Sequence, residues 1–260
     1  MKKIFTIAMA FCLIACTFVG CGTKPAKTDL DYIKEKKSLV IGITEYEPIN
    51  FKDKDGNWTG FDTEFAQAFA KKLGVEAKFT IIDWDNKYAE LDSKAIDCIW
   101  NGMTITEEGK LNATISNPYV YNAQVVVMAK DKLDKYPDAA SMKDIKFAVE
   151  TGSAGAGAAK EAGFTKVTEV AAQSDALLEV KSGSADACIV DFTMATAMTG
   201  ENSSYSNLAF KVKLTEEEYG IASRKNSNLN DEINRCMEEL IKDGTLDTLA
   251  KKYNLTLIKK

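Results

Sequence analysis

The chain has 260 residues, of which 45% are hydrophobic and 27% are charged, a composition typical of globular proteins. Its net charge is −5 and it has no histidine, which disfavours nucleic acid binding and excludes catalytic or metal sites that need an imidazole. Of the 33 basic residues only Arg224 and Arg235 are arginines, so a bidentate guanidinium contact must come from one of these two.

The amino terminus has the pattern of an export signal. Two lysines follow the first methionine, and residues 4–20 then form an unbroken run of apolar and small residues. That run is short for a membrane span and typical of the hydrophobic region of a signal. We therefore predict a signal peptide over residues 1–20.

The end of this run resembles the processing site of a bacterial lipoprotein. Gly20 is a small residue immediately before Cys21, and Cys16 fits the same pattern less well because cleavage there would leave a second apolar stretch. We predict that Cys21 carries a lipid anchor, that residues 21–30 form a polar tether, and that the protein lies on the extracytoplasmic face of the cell membrane.

Three cysteines remain beyond the signal. Cys98, Cys188 and Cys236 are odd in number and widely spaced, which argues against a disulfide framework or a metal site. Cys98 and Cys188 lie in apolar runs and are predicted to be small buried side chains. The sequence thus indicates neither a metal nor a cofactor.

The first half of the mature chain alternates strand-like and helical patterns. Strands are predicted from runs rich in β-branched residues, and helices from apolar residues at helical spacing. Such a βαβ series predicts a parallel sheet covered on both faces. The predicted elements are strands at 38–43, 75–82 and 95–100, a hairpin turn at 53–57, and helices at 61–73 and 88–91.

The same alternation restarts in the second half, with strands predicted at 145–150, 166–170 and 187–190 and helices at 155–162, 174–181 and 192–198. Two strand-like segments, 124–128 and 219–223, flank the second series and have no helix of their own before them. Two α/β lobes joined by two crossings predict a hinged binding protein with its ligand in the cleft. Lobe I is predicted to comprise residues 31–122 and 217–260, and lobe II residues 123–216.

An ordered set of short motifs runs from about residue 38 to the end. The motifs are Val40-Ile41-Gly42, Tyr46-Glu47-Pro48, Gly60-Phe61-Asp62, Asp83-Trp84-Asp85, Asn101-Gly102-Met103-Thr104, Ser116-Asn117-Pro118-Tyr119, Thr151-Gly152-Ser153, Val190-Asp191 and Tyr219-Gly220-Ile221.

Each motif is weak alone, but the ordered set resembles the extracellular solute-binding proteins of amino-acid ABC importers. The resemblance implies a two-lobed periplasmic-binding-protein fold of type II. It also implies a small-molecule ligand, an ABC permease in the membrane as partner, and a protein that acts as a monomer.

The resemblance further implies roles for residues of the first lobe. Tyr46 and Trp84 match aromatic residues that enclose the ligand in related proteins, where ring faces suit both apolar chains and ammonium groups. Asn101, Gly102 and Thr104 match the segment that hydrogen-bonds the ligand.

Second-lobe roles follow in the same way. Gly152 and Ser153 match a loop before a helix, where backbone N–H groups and the helix dipole favour a carboxylate. Asp191 matches the carboxylate that pairs with the ligand's α-ammonium, although an aspartate at a helix start can also be a simple N-cap.

One departure from the family pattern concerns the ligand. The arginine that clamps the α-carboxylate in relatives falls at position 109, which here is Gly109. One hypothesis is an α-amino acid held at its carboxylate by the second-lobe amides and Thr104, with Lys110 as a substitute cation. The other is a cationic amine held by acidic residues such as Glu45, Glu47 and Asp191.

Other functional classes remain as alternatives. Some relatives with this fold are dehydratases, but catalysis without histidine would require a carboxyl with a raised pKa. The sequence therefore predicts a binding protein rather than an enzyme. A ligand sensor without transport is also left open.

Overall fold

A computed structural model describes residues 27–259. The predicted signal peptide, Cys16 and Cys21 lie outside the described residues. Helix α1, Asp29–Lys36, begins inside the predicted tether because the Thr28 side chain caps it by accepting the N–H of Asp31. The tether prediction was therefore too long at its end.

Lobe I is an α/β unit with one six-stranded sheet and a separate two-stranded hairpin. Gly74, with φ +75°, ends the helix predicted at 61–73 in the left-handed conformation that glycine adopts without strain. The elements of the first segment are β1 Ser38–Ile43, β2 Phe51–Lys52, β3 Trp58–Thr59, α2 Phe61–Leu73, β4 Glu76–Ile81, a 3₁₀ turn Trp84–Asn86, α3 Lys87–Asp92, β5 Cys98–Thr104, α4 Glu107–Asn112, β6 Thr114–Ile115 and β7 Val120–Asn122.

Lobe II follows with its own sheet. Its elements are β8 Gln124–Ala129, 3₁₀ turns Lys130–Lys135 and Ala139–Met142, β9 Phe147–Glu150, α5 Ala154–Glu161, β10 Val167–Val170, α6 Gln173–Ser182, β11 Ala187–Asp191, α7 Phe192–Met198 and β12 Leu208–Lys213. The chain then returns to lobe I through β13 Glu217–Ser223, α8 Leu229–Lys242 and α9 Thr245–Lys252.

The two sheets have corresponding orders. In lobe I the order is β4-β1-β5-β13-β6, with β7 also paired to β13, and in lobe II it is β10-β9-β11-β8-β12. The chain passes between the sheets twice, between β7 and β8 and between β12 and β13. The predicted two-lobed α/β fold is confirmed.

The prediction of parallel sheets was wrong for the strands next to the crossings. β13 runs antiparallel to β5, and β8 runs antiparallel to β11, while β1, β4 and β5 are parallel to one another. A strand that enters a lobe directly from the other lobe has no crossover helix to reverse its direction, so it joins the sheet antiparallel. Each sheet is therefore mixed.

The core of lobe I is aromatic. Trp100, on β5, is fully buried and meets Phe65 edge-on at 4.7 Å between ring centroids, with Phe69 at 5.7 Å. The predicted burial of Cys98 and Cys188 is confirmed, and Cys236 is buried as well, all three as free thiols. Across residues 27–259 no helix has the length and apolar character needed to cross a bilayer.

Candidate functional site

A cavity of about 430 Å³ lies between the lobes. Lobe I contributes the 3₁₀ turn with the start of α3, the end of β5, and α4, while lobe II contributes the β9–α5 loop and the ends of α6 and β11. The lining residues are Trp84, Lys87, Tyr88, Asn101, Gly102, Met103, Thr104, Thr106, Glu107, Glu108, Glu150, Gly152, Ser153, Ala154, Gly157, Ala158, Glu161, Gln173, Asp191, Thr215 and Glu217.

The charges of this lining are strongly asymmetric. Six of the residues are acidic and one, Lys87, is basic. Attraction between a buried charge and an opposite charge is much stronger than in water because the surroundings screen it less. This applies to the buried Glu150 and Asp191, whereas Glu107, Glu108 and Glu161 are exposed. The acidic residues are Glu107, Glu108, Glu150, Glu161, Asp191 and Glu217.

Asp191 lies at the end of β11 and is 4% exposed. Its carboxylate accepts hydrogen bonds from the side-chain amides of Asn122, Gln124 and Gln173, with the Gln124 nitrogen at 2.9 Å. Burial, with the charge of Glu217 nearby, raises the pKa of Asp191 to about 7. Asp191 precedes α7 without capping it through its side chain, so the simple N-cap alternative does not apply here.

Glu217 adds a second carboxylate beside Asp191. Its Oε2 accepts hydrogen bonds from Thr104 Oγ1 at 2.9 Å, from Gln124 Nε2 at 3.1 Å and from Asn122 Nδ2 at 3.2 Å. The two carboxylates share amide donors from the first crossing, so the hinge region and the cavity floor form one polar network.

Glu150 is the third acidic group of the floor, at the end of β9 and 3% exposed. Burial, with the charge of Asp191 nearby, raises its pKa to about 8. The charge of Lys87 acts in the opposite direction. A cation placed among these carboxyls would favour their ionised forms.

The lobe I segment predicted to bind the ligand lines the cavity, but its polar groups already have partners. Asn101 donates to Thr44 Oγ1 at 2.7 Å, and the Gly102 N–H donates to Asp62 at 2.6 Å. The Thr104 hydroxyl donates to Glu217 as described above. In this arrangement the segment shapes the wall more than it offers free donors.

The predicted lobe II loop lines the opposite wall. Gly152 has φ +66°, and a Cβ atom built there would lie 2.6 Å from Asp85 Oδ1 of lobe I. Ser153 caps α5 by accepting the N–H of Ala156 at 3.2 Å. The lobes therefore touch at Gly152, and the N-terminus of α5 faces the cavity through Ala154.

Lys87 was not predicted, yet it is central to this cavity. The residue is 8% exposed, and its ammonium donates to the Trp84 carbonyl at 3.0 Å and the Gly152 carbonyl at 3.1 Å. It also lies 4.8 Å from the centre of the Trp84 ring. Burial lowers the pKa of Lys87, while nearby carboxylates, Glu108 first among them, raise it.

Four predicted residues lie away from this cavity. Tyr46 is 2% exposed, and its hydroxyl is hydrogen-bonded to Thr193 of lobe II and to the Tyr219 hydroxyl, 2.5 Å away. It joins the lobes behind the cavity rather than lining it. The other three are Glu45, Glu47 and Lys110. Glu45 is exposed, 4.0 Å from the Lys52 ammonium, and Glu47 lines a separate surface pocket with residues 197–204. Lys110 is exposed and pairs with Glu107 at 2.7 Å.

The position of the missing arginine is occupied by the chain's own packing. A Cβ at Gly109 would lie 3.0 Å from Ile115 Cδ1, 3.2 Å from the Tyr88 hydroxyl and 3.3 Å from Met103 Cε. Arg224 is buried between α1 and β5, where it bonds Asp29, and Arg235 pairs with glutamates on α8. Neither arginine lines the cavity.

Sequence reasoning missed Lys87, Glu150, Gln173 and Glu217. Glu150 immediately precedes the Thr151-Gly152-Ser153 motif and ends a predicted strand, so its position at the cleft edge was readable. Glu217 and Lys87 carried no such signal, because their proximity depends on how the lobes meet. Over residues 27–259 no group of acidic or cysteine side chains is arranged to hold a metal ion.

Comparison with known proteins supports the predicted family. Residues 39–256 match the model of the bacterial extracellular solute-binding proteins, family 3. The chain belongs to this family. The predicted resemblance is thus confirmed, and the family is one of solute-binding proteins rather than enzymes.

Relatives within the family differ in their named ligands. The arginine-binding extracellular protein ArtP of Bacillus subtilis is 31% identical over 262 residues, covering 97% of this chain and 98% of ArtP. The L-cystine-binding protein TcyJ of Escherichia coli is 32% identical over 232 residues, covering 86% and 85% of the two chains.

Among solved structures, a mutant of ArgBP from T. maritima superposes with a TM-score of 0.81 at 35% identity, covering 86% of this chain and 98% of that one. This similarity extends over both lobes.

Proposed function

We propose that this protein is the substrate-binding component of an ABC importer and that its substrate is an α-amino acid with a cationic side chain, such as arginine. The family membership supports the amino-acid transport role. The single observation that carries the choice of substrate is the cavity lining, with six carboxyl side chains against one lysine.

Electrostatics favours a ligand that brings net positive charge. Glu150, Asp191 and Glu217 lie together on the cavity floor, and burial raises the pKa values of Glu150 and Asp191 because it disfavours their ionised forms. A ligand with two cationic groups would favour the ionised forms of both Asp191 and Glu150. A neutral amino acid brings only its α-ammonium against three floor carboxyls.

We assign ligand contacts as follows. Asp191, with Glu217 beside it, binds the α-ammonium through charge-assisted hydrogen bonds, each worth about 1.5 to 3 kcal/mol. Glu150 faces the cationic side chain. Trp84 covers the ligand from lobe I, the Asn101-Gly102-Met103-Thr104 segment forms the wall, and Gly152 with Ser153 closes over it from lobe II.

The mechanism is a population shift. The ligand contacts both lobes and so stabilises the closed form, which docks on the membrane permease and releases the ligand there. We also propose that the mature protein is a monomer, anchored through a lipid on Cys21. Membrane retention of the wild type but not of a Cys21→Ser variant, together with light scattering of the soluble domain, would test these two points.

Calorimetry with a ligand panel tests the substrate. We expect arginine, lysine or ornithine to bind most tightly. Glutamine should bind at least about tenfold more weakly because its side chain is neutral, and cystine should do so because the second ammonium that it carries is accompanied by a second carboxylate. Preferential binding of cystine or glutamine would contradict the proposed substrate class. Tight binding of putrescine, which has no carboxylate, would instead support the alternative of a cationic-amine binder.

Transport itself needs a separate experiment. Deletion of the gene should abolish uptake of the radiolabelled ligand, and expression of the wild-type protein should restore it. Normal uptake in the deletion strain, together with tight binding in vitro, would indicate a sensor instead.

A further inference from the structure

We propose that the ammonium of Lys87 binds the α-carboxylate of the ligand, in place of the guanidinium that the family pattern puts at position 109. This inference rests on the proposed function of the cleft. It assigns to this chain a carboxylate contact that no matched motif contains.

The first argument is the distribution of basic residues. Among residues 27–259, Lys87 is the one basic residue that lines the cavity. Arg224 is held on the far side of lobe I by Asp29 and Asp97, and Arg235 is on the surface of α8. Lys110, the substitute expected from the sequence, is exposed, pairs with Glu107 and does not line the cavity.

The second argument is the unused capacity of the Lys87 ammonium. An ammonium has three N–H donors, and the two hydrogen bonds of Lys87 go to the carbonyl oxygens of Trp84 and Gly152. The ion pairs found among residues 27–259 do not include Lys87. A cation that is 8% exposed without a bonded counter-ion is costly, and a carboxylate in the cavity would supply that counter-ion.

The third argument is the surroundings of the ammonium. It lies 4.8 Å and 5.0 Å from the ring centres of Trp84 and Tyr88, so its position is restricted from two sides. Ser153 and Ala154, which line the same cavity, begin the eight-residue helix α5. The positive end of that helix and the lysine together form an anion-binding end of the cleft.

The two ends of the cavity then orient the ligand. The anion-binding end near Lys87 takes the carboxylate, and the end formed by Asp191 and Glu217 takes the α-ammonium. Because the α-carboxylate and the α-ammonium are bonded to the same carbon, the Lys87 and Asp191 contacts lie side by side around it, and Glu150 faces the cationic side chain as assigned above.

Lys87 also couples carboxylate binding to closure. Lys87 belongs to lobe I and the Gly152 carbonyl to lobe II, so the hydrogen bond between them requires the lobes to meet. A ligand carboxylate on the same ammonium adds a contact in the closed form alone, and so shifts the population toward it.

A comparison of two ligands on matched variants tests the proposal. The ligands are L-arginine and agmatine, which is arginine without its carboxylate. The variants of the mature protein are Lys87→Met, which keeps the length of the side chain and removes its charge, and Lys87→Arg, which keeps the charge. Lys110→Met is the control for loss of a lysine near the cleft but outside the cavity.

We expect the wild type to prefer arginine over agmatine, and Lys87→Met to lose about 10- to 100-fold in arginine affinity, as for a lost charge-assisted hydrogen bond. Its agmatine affinity should fall clearly less than its arginine affinity, since agmatine loses only the contribution of the Lys87–Gly152 hydrogen bond to closure and not a ligand contact. Lys87→Arg should retain the preference, and Lys110→Met should match the wild type. Thermal unfolding of each variant confirms that it is folded.

Three results would overturn the assignment: equal loss of both ligands in Lys87→Met, equal binding of both by the wild type, or an unchanged arginine affinity. The proposed function fails in a different way, namely if the wild type binds no amino acid of the panel. That result would remove the role of Lys87 as well, whereas equal losses would leave the amino-acid function standing.

Discussion

Gly152 allows a direct test of how the lobes meet. Its φ of +66° lies in the left-handed region, and a Cβ there would be 2.6 Å from Asp85 Oδ1 and 3.2 Å from Asp85 Cα. Asp85 is exposed, so its carboxylate can rotate away. Its Cα cannot, and that contact is relieved only when the lobes separate.

The substitution Gly152→Ala therefore carries two separate costs. The left-handed conformation costs an alanine roughly 1 kcal/mol whether the cleft is open or closed. The close approach to the Asp85 backbone adds roughly 1 to 2 kcal/mol, at the low end for overpacking, in the closed form only. Because ligand binds the closed form, affinity should fall about 5- to 30-fold.

Gly183→Ala provides the matched control. Gly183 also belongs to lobe II and has φ +83°, but a Cβ there would meet no atom within 4 Å. Both variants should lose similar thermal stability, while only Gly152→Ala should lose affinity in calorimetry with the ligand that the panel identifies. Wild-type affinity in Gly152→Ala, or an equal loss in Gly183→Ala, would refute this account of closure.

Three further predictions concern the charges and packing of the cleft. Glu150→Gln should weaken arginine binding about tenfold and leave the affinity for glutamine within about threefold of the wild-type value. The exposed control Glu238→Gln should change neither affinity. Equal losses for both ligands would contradict a role of Glu150 in charge recognition. Because burial raises the pKa of Glu150 to about 8 and of Asp191 to about 7, a bound cation should drive proton release. Arginine affinity should then fall as pH drops below about 8 through Glu150 and more steeply below about 7 through Asp191, by at most about tenfold per pH unit for each carboxyl. An affinity independent of pH in calorimetry would exclude this linkage. Gly109→Arg should lower the free energy of unfolding by roughly 1 to 3 kcal/mol, measured with denaturant, because its Cβ would crowd Ile115 and Met103. It should not strengthen ligand binding. A gain in affinity at unchanged stability would show that Ile115 and Met103 can move aside.

The same raised pKa values determine how stability depends on pH. A carboxyl whose pKa is higher in the folded protein than in the unfolded chain favours folding below its unfolded value. This contribution is lost as pH rises through the folded pKa. The empty protein should therefore lose stability as pH rises toward about 8, and a cationic ligand should restore it.

The order of elements, the two lobes and the family were readable from the sequence because they depend on local patterns. Apolar periodicity and turn residues predicted β1, α2 and the second βαβ series close to their observed bounds. The family motifs likewise depend on short segments in a given order. Asp191, Gly152 and Trp84 were found in this way, and the structure places all three in the cavity lining.

The charged content of the cleft was decided by tertiary structure alone. Lys87, Glu150 and Glu217 come from segments more than 60 residues apart in the sequence, and each resembles an ordinary surface charge until the lobes meet. The converse holds for Tyr46 and Lys110, whose motif positions suggested ligand contact. In the structure Tyr46 is buried and hydrogen-bonded to Thr193, and Lys110 forms an exposed ion pair with Glu107.

The sequence by itself thus determined the architecture and the class of binding protein, since hydrophobic periodicity and motif order are local properties of the chain. Only the tertiary structure decided which charges face the ligand, because that depends on the direction of each side chain and on the approach of two lobes. The absence of arginine at position 109 was visible in the composition, but the buried ammonium of Lys87 became visible only in the folded cleft.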